Sequence, residues 1–267
     1  MRLPHEVRVL PALFRIGFAE AVAYRAEFFV WMLSTTMPLI MLALWSAVAR
    51  EAPVGRFGQS DFIAYFLATF IVRQLTMSWV AWQMNFEIRG GTLAQKLLRP
   101  IPTMLTFAVE NLAAQPMRLT VALPAAAVWL ASVGTGHIPR DPLIWAAFAA
   151  AIAGGWLITF TANFAVGALA FFTESSVKVM DVWLTLYFVL SGYLIPIELF
   201  PPAMRTLADW LPFRYQIGLP VELITSAHDR GAALALLGWQ WLWVAVMLAG
   251  AVALWRRGLA RFAAYGG

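Results

Sequence analysis

The stretch LIWAAFAAAIAGGWLITFTANFAVGALAFF, residues 143–172, decides the fold class. It carries no charged side chain and is longer than the about 20 residues that an α-helix, rising about 1.5 Å per residue, needs to cross a hydrocarbon layer about 30 Å thick. Working outward, residues 28–49, 62–86, 104–133, 177–197 and 232–255 are also long and apolar enough. The expectation is an all-α integral membrane protein with six transmembrane helices. The spans at 104–133 and 143–172 exceed the bilayer, which implies tilt or extension beyond the lipid.

Composition agrees. Of 267 residues 61% are hydrophobic and 12% charged, with 13 tryptophans, against about 25% charged in soluble domains. The formal net charge of +5 is scattered singly between apolar runs, a pattern of membrane topology that leaves no basic face for nucleic acid. There is no cysteine, hence no disulfide framework, zinc-thiolate site or thiol nucleophile. Arg2, Glu6, Arg8, Arg15, Glu20, Arg25 and Glu27 interrupt the start of the chain, unlike the unbroken apolar core of a secretory signal, so the N-terminus reads as retained.

Positive side chains are held on the cytoplasmic side. With the N-terminus inside, eleven lysines and arginines face the cytosol (Arg2, Arg8, Arg15, Arg25, Arg89, Lys96, Arg99, Lys178, Arg256, Arg257 and Arg261) and six lie outside. Both termini are expected in the cytosol. Ahead of the first span, Leu3, Val7, Leu10, Phe14, Phe18 and Ala21 recur at helical spacing, describing a helix along the membrane interface or one packed on its own bundle. Tryptophans near span ends, among them Trp31, Trp45, Trp79, Trp82, Trp145, Trp210, Trp239 and Trp255, suit the headgroup layer as anchors. Pro38, Pro116 and Pro124 are expected to kink their helices. Ala150 with Gly154, and Ala151 with Gly155, offer small surfaces for close helix packing. Residues 192–226 stay apolar but are cut by Pro201, Pro202, Pro212 and Pro220. No segment there is long enough to span, which predicts two short helices dipping into or lying on the outer leaflet.

The chemistry of catalysis is missing. Neither lysine is followed by Ser or Thr, as a Walker A loop requires. His5, His137 and His228 have no metal-ligand spacing, and there is no GxSxG elbow or intramembrane carboxylate pair. No catalytic and no metal residue is expected, so the chain reads as a non-enzyme. Polar groups at lipid depth stand out instead: Arg73, Glu110, Arg118 and Asn163. They form either a wall of a translocation cavity or a buried pair fixing helix order, and Arg73 lies within reach of Glu110 by depth. Phe66, Phe70, Phe160, Phe164 and Phe188 could line an apolar cavity, although packing against lipid or helices is the commoner role of such residues.

The polar interruption EIRGGTLAQKLLRPIP, residues 87–102, follows the second span. Gly90-Gly91 permits a sharp turn, and a two-turn helix from Thr92 puts Leu93, Leu97 and Leu98 toward the membrane boundary. Gln95, Lys96 and Arg99 are left exposed until Pro100 and Pro102 end it. It reads as a docking helix, or as an ordinary basic juxtamembrane loop.

Two motifs, IRGGTLAQKLLRPIP at 88–102 and SGYLIPIELFPPAMRTLADWLPFRYQIGLPVELI at 191–224, together resemble the permease subunits of ABC-2 type exporters, the six-span bacterial group, and the likeness extends over nearly the whole chain. The resemblance implies one permease domain over residues 1–267. Its parts are an interface helix (1–27), spans one and two (28–86), a coupling helix (87–102), spans three to five (103–197), short extracellular helices (198–231), span six (232–255) and a cytoplasmic tail (256–267). It implies a homodimer or heterodimer in the bacterial cytoplasmic membrane on separate ATPase subunits, which bind the ATP and magnesium. By this likeness Thr92, Leu93, Gln95, Lys96, Leu97, Leu98 and Arg99 contact the ATPase, and Pro201, Pro202, Trp210, Pro212 and Phe213 belong to helices closing the exit. The substrate expected is a hydrophobic or amphipathic drug, lipid or peptide. An ion-coupled secondary transporter is the alternative, for which Glu110 is the available intramembrane carboxylate. A lipid-modifying enzyme lacks any metal or nucleophile cluster.

Overall fold

A computed structural model of the chain describes residues 5–26, 30, 35–133, 139–225 and 229–265. Arg2, Leu3, Glu27, Phe28 and Trp31 of the first expected span, His137 and His228 lie outside the described residues, as do the side chains of His5, Glu6, Val7 and Arg8. Among the described residues the fold is helical, without a strand, and has one isolated β-bridge between Val54 and Phe57. Among the described residues three helical stretches are long and apolar enough to cross a membrane: Gln59–Arg89, Pro142–Phe171 and Arg230–Phe262.

The helices in chain order are α1 (His5–Ala23), α2 (Met37–Glu51), α3 (Gln59–Thr76), α4 (Val80–Arg89), α5 (Leu93–Leu97), α6 (Thr103–Ala113) and α7 (Gln115–Val133). There follow α8 (Pro142–Ala168), α9 (Ser176–Leu190), α10 (Pro202–Trp210), α11 (Arg214–Ile224) and α12 (Arg230–Tyr265). The stretch that opened the sequence reading is α8, and it is the hub: α12, α11, α4, α3 and α9 all pack on it. Its alanines and glycines explain this, because small side chains let other backbones approach closely. A Cβ at Gly154 would lie 2.6 Å from the Gln240 side chain of α12, and one at Gly155 would lie 2.8 Å from the Gln216 carbonyl of α11. Gln240 then ties the three helices, its Nε2 donating to the carbonyls of Ala151 (2.8 Å) and Tyr215 (2.7 Å).

Several expected spans are cut. Residues 62–86 are interrupted at 77–79, between α3 and α4, where no proline or glycine stands. Residues 104–133 divide at Ala114, just ahead of Pro116, whose missing N–H and ring discourage a continuous helix. Pro124 is held inside α7, and Pro38 sits in the first turn of α2, where no hydrogen bond is lost. The fifth span ends as a helix at Leu190 rather than near 197. Gly192, at φ +83°, turns the chain there, and its carbonyl accepts from the Tyr65 hydroxyl at 2.7 Å.

Two short helices do form in 198–231. On α10, Ala208 is buried while Leu207 and Trp210 are exposed. Every residue of α11 is buried, against α8 and α3. Its charges satisfy one another inside: Arg214 donates to Glu222 at 2.8 Å and pairs with Asp209. Near this region Arg56, from the loop before α3, makes a two-pronged ion pair with Glu198, one prong 2.6 Å long.

At the other end of the chain, α1 packs on α6 through Leu13, with Val9 and Leu10 half-buried against Ile101, Leu105 and Val109. The packed face also holds Gly17, whose added Cβ would lie 2.9 Å from Ala113. This face is rotated by about one residue from the expected apolar stripe, so Phe14 and Phe18 remain uncovered, 39% and 38% exposed. The helix therefore packs on the bundle and still presents an apolar side.

Candidate functional site

A helix that stops inside an apolar layer leaves backbone carbonyls and N–H groups without intrahelical partners. The interruption at 77–79 does this between α3 and α4, and neighbouring side chains repair it. From α7, Gln115 donates to the Leu75 carbonyl (2.9 Å) and Arg118 to the Met77 carbonyl (2.6 Å). On the other side of the break, the Ala81 N–H is directed at Asn163 of α8 and the Val80 N–H at the Ser78 hydroxyl, both at 3.5 Å. Asn163 is itself anchored, donating to the Thr159 carbonyl at 2.9 Å. Arg118 and Asn163, flagged in the sequence as polar at lipid depth, are thus partners of a broken backbone. The break itself was not legible, because what sustains it comes from helices distant in sequence.

Beside the break lies a cavity of about 490 Å³. Trp79 in the interruption and Trp82 just after it line one side, and Trp183, Tyr187 and Phe188 of α9 with Tyr193 beyond it add further aromatic lining. Arg73, Asn163 and Gln216 bring polar groups into it. The Arg73 guanidinium lies over the rings of Tyr187 (5.1 Å) and Tyr193 (6.0 Å). Trp79 and Trp82, read in the sequence as interface anchors, therefore face the cavity. Of the five phenylalanines considered, Phe188 lines it; Phe66, Phe160 and Phe164 are fully packed among other side chains and Phe70 is buried. The crowding of aromatics between Trp183 and Tyr193 was the available sequence signal, but it does not distinguish a cavity wall from a packed helix.

The pairing of Arg73 with Glu110 that their depths would allow does not occur. Glu110 of α6 accepts instead from Lys96 Nζ (2.7 Å) and Gln83 Nε2 (2.8 Å). The reason is the turn at Gly90-Gly91. Gly91, at φ +73°, is in a region open to glycine, and it folds α5 back so that Lys96 reaches Glu110 first. Lys96 also bonds Glu87 (2.8 Å) and lies 4.0 Å from the centre of the Phe107 ring.

The elbow formed by residues 87–102, which carries α5, accordingly differs in detail from the docking helix expected there. A short helix forms, but Lys96 points inward into this cluster. Leu93 is fully buried, against protein, and Leu97 is half-buried in the same cluster with Phe107 and Phe164. Leu98, expected toward the membrane boundary, is 86% exposed, and Thr92, Gln95 and Arg99 share that outer surface. Among the other residues singled out, Pro201 and Pro202 open α10, and Trp210 meets Trp239 of α12 at 5.6 Å. Phe213 is buried after Pro212, its ring 4.6 Å from Trp183 on the cavity wall.

The family described as ABC-2 family transporter protein matches residues 26–266. The chain belongs to that family. It is a membrane component of an ABC transporter, the class of protein expected from its two motifs. No curated protein matches the sequence. In this ABC-2 protein the cavity beside the broken helix and the exposed elbow carrying α5 are the two places where function can be sought.

Proposed function

We propose that this ABC-2 protein is the permease subunit of an ATP-driven exporter. It would act as a dimer, with itself or a related chain, in the bacterial cytoplasmic membrane, crossing six times with both termini in the cytosol. Two partner ATPases, which hold the ATP and magnesium, dock on the elbow. Their closure tilts the bundle and opens the cavity from the inner to the outer side, a rigid-body switch. The substrate is hydrophobic or amphipathic, and α10 and α11 close the exit.

The observation that carries this reading is the construction of the elbow. A helix of only five residues exposes Thr92, Gln95, Leu98 and Arg99 on its outer side, while Leu93 and the Lys96–Glu87–Glu110 cluster bind it rigidly to α4 and α6. A force applied to the outer face therefore passes to the helices rather than being lost in a hinge. An ion-coupled carrier would need Glu110 to load and release cations, and Glu110 is already engaged by Lys96 and Gln83.

The test is co-purification with the ATPase encoded nearest to this gene. Leu98→Asp combined with Arg99→Glu is expected to abolish capture of the ATPase while leaving the permease folded. Unchanged capture would overturn the assignment of the elbow. Substrate movement by the chain alone down a proton gradient would overturn ATP coupling.

A further inference from the structure

We infer that the cavity beside the helix break selects an amphiphile with a single anionic head group, such as a carboxylate, sulfonate or phosphate, on an apolar body. The inference rests on the permease reading and adds a charge and a reader for that charge, Arg73. Arg118 is held by the Met77 carbonyl, and two further inward-facing cations are neutralised by carboxylates. Lys96 has two carboxylates and Arg214 has two, all within the fold. Arg73 has none among the described residues: its partners are the side chains of Tyr187 and Tyr193, and its Nε is buried without a hydrogen bond. Among the described residues no Asp or Glu lines the cavity. The charge acting from α7 is a second cation, Arg118, which repels Arg73.

A second unspent donor is present. Gln216, 1% exposed and part of the cavity lining, accepts from Thr159 at 3.0 Å through Oε1, leaving Nε2 buried without a hydrogen-bond partner. Arg73 and Gln216 together offer donors to an anion in a low-dielectric space, where charge-assisted hydrogen bonds are strongest. The remaining wall is aromatic, and about 490 Å³ falls in the range of pockets that enclose small organic ligands. A cationic amphiphile would meet the same aromatic wall but be opposed by both arginines.

The experiment uses the purified full chain in phosphatidylcholine nanodiscs, with energy transfer from tryptophan to two pyrene probes of equal body, pyrenebutyrate and a pyrenebutyl trimethylammonium. Transfer in empty discs measures simple partitioning. Saturable binding of pyrenebutyrate is expected, weakened about tenfold by Arg73→Met and largely kept by Arg73→Lys, whereas the cationic probe binds more weakly to the wild type and gains from Arg73→Met. Should Arg73→Met fail to fold, Gln216→Leu is expected to weaken pyrenebutyrate binding several-fold with Arg73 intact. Equal affinity for the two probes, no saturable binding, or affinity unmoved by these variants would overturn the inference. Doping the discs with phosphatidylglycerol separates sources: competition assigns the site to a membrane lipid, and its absence assigns it to an amphiphile from solution. The ATPase partner takes no part in this measurement, so the permease reading can fail on the elbow variants while probe binding stands, and the reverse.

Discussion

Arg214 shows what an enclosed charge demands in this fold. Its side chain is 4% exposed, Glu222 beside it is 3% exposed, and the two are joined at 2.8 Å, with Asp209 as a second anion on the guanidinium. Burying such charges is costly, and removing one partner leaves the other uncompensated, a loss of about 3–5 kcal/mol. Arg214→Met is therefore expected to lower the thermal midpoint of the detergent-solubilised protein sharply, read by tryptophan fluorescence. Adding Glu222→Leu removes the buried carboxylate that has lost its guanidinium and should restore most of the loss; a double variant as unstable as the single one would show that the pair itself stabilises α11. At this scale hydropathy alone picked out Arg73, Glu110, Arg118 and Asn163 as polar groups in apolar surroundings. It could not assign partners, because partners follow from a turn at Gly91 and a break at 77–79 that bring distant residues together. Arg73 and Glu110 have compatible depths as straight helices, yet Lys96 stands closer to Glu110 once α5 folds back.

Among elements, α8 was the most legible and α11 the least. Length and apolarity sufficed for α8, and its Ala and Gly positions foretold close approach. α11 carries Arg214, Gln216, Glu222 and Pro220, a composition suited to a surface, and only its packing on α8 and α3 explains its burial. The contact between these two helices gives a direct test. Gly155→Val would place side-chain atoms where the Gln216 carbonyl already lies 2.8 Å from a Cβ; backbone cannot yield as a flexible side chain does, and overpacking costs about 1–3 kcal/mol. A drop in thermal midpoint is expected. Gly250→Ala in α12 is the control, since nothing lies within 4 Å of its Cβ and alanine favours a helix by up to about 1 kcal/mol. Equal effects from the two substitutions would mean that α11 does not rest on Gly155.

For the molecule as a whole, the number of crossings is the question on which the two sites depend. Among the described residues three helical stretches qualify as crossings by length and composition, whereas six apolar stretches follow from the sequence, three of them cut by breaks or short helices. The two arrangements both put Gln95 and Arg205 on opposite sides, but they disagree about two other exposed positions. With six crossings, Arg140 before α8 shares the exterior with Arg205, and Glu174 after α8 shares the cytosol with Gln95. With three, Arg140 sides with Gln95 and Glu174 with Arg205. The chain has no cysteine, so single-cysteine variants at these four exposed positions report without background. In intact cells a membrane-impermeant maleimide is expected to label Arg140→Cys and Arg205→Cys, and to label Gln95→Cys and Glu174→Cys only after permeabilisation. The distribution of lysine and arginine favours this outcome. Labelling of Glu174→Cys from outside with Arg140→Cys protected would reduce the crossings to three. Labelling of Gln95→Cys in intact cells would put the elbow, and the ATPase proposed to grip it, on opposite faces of the membrane.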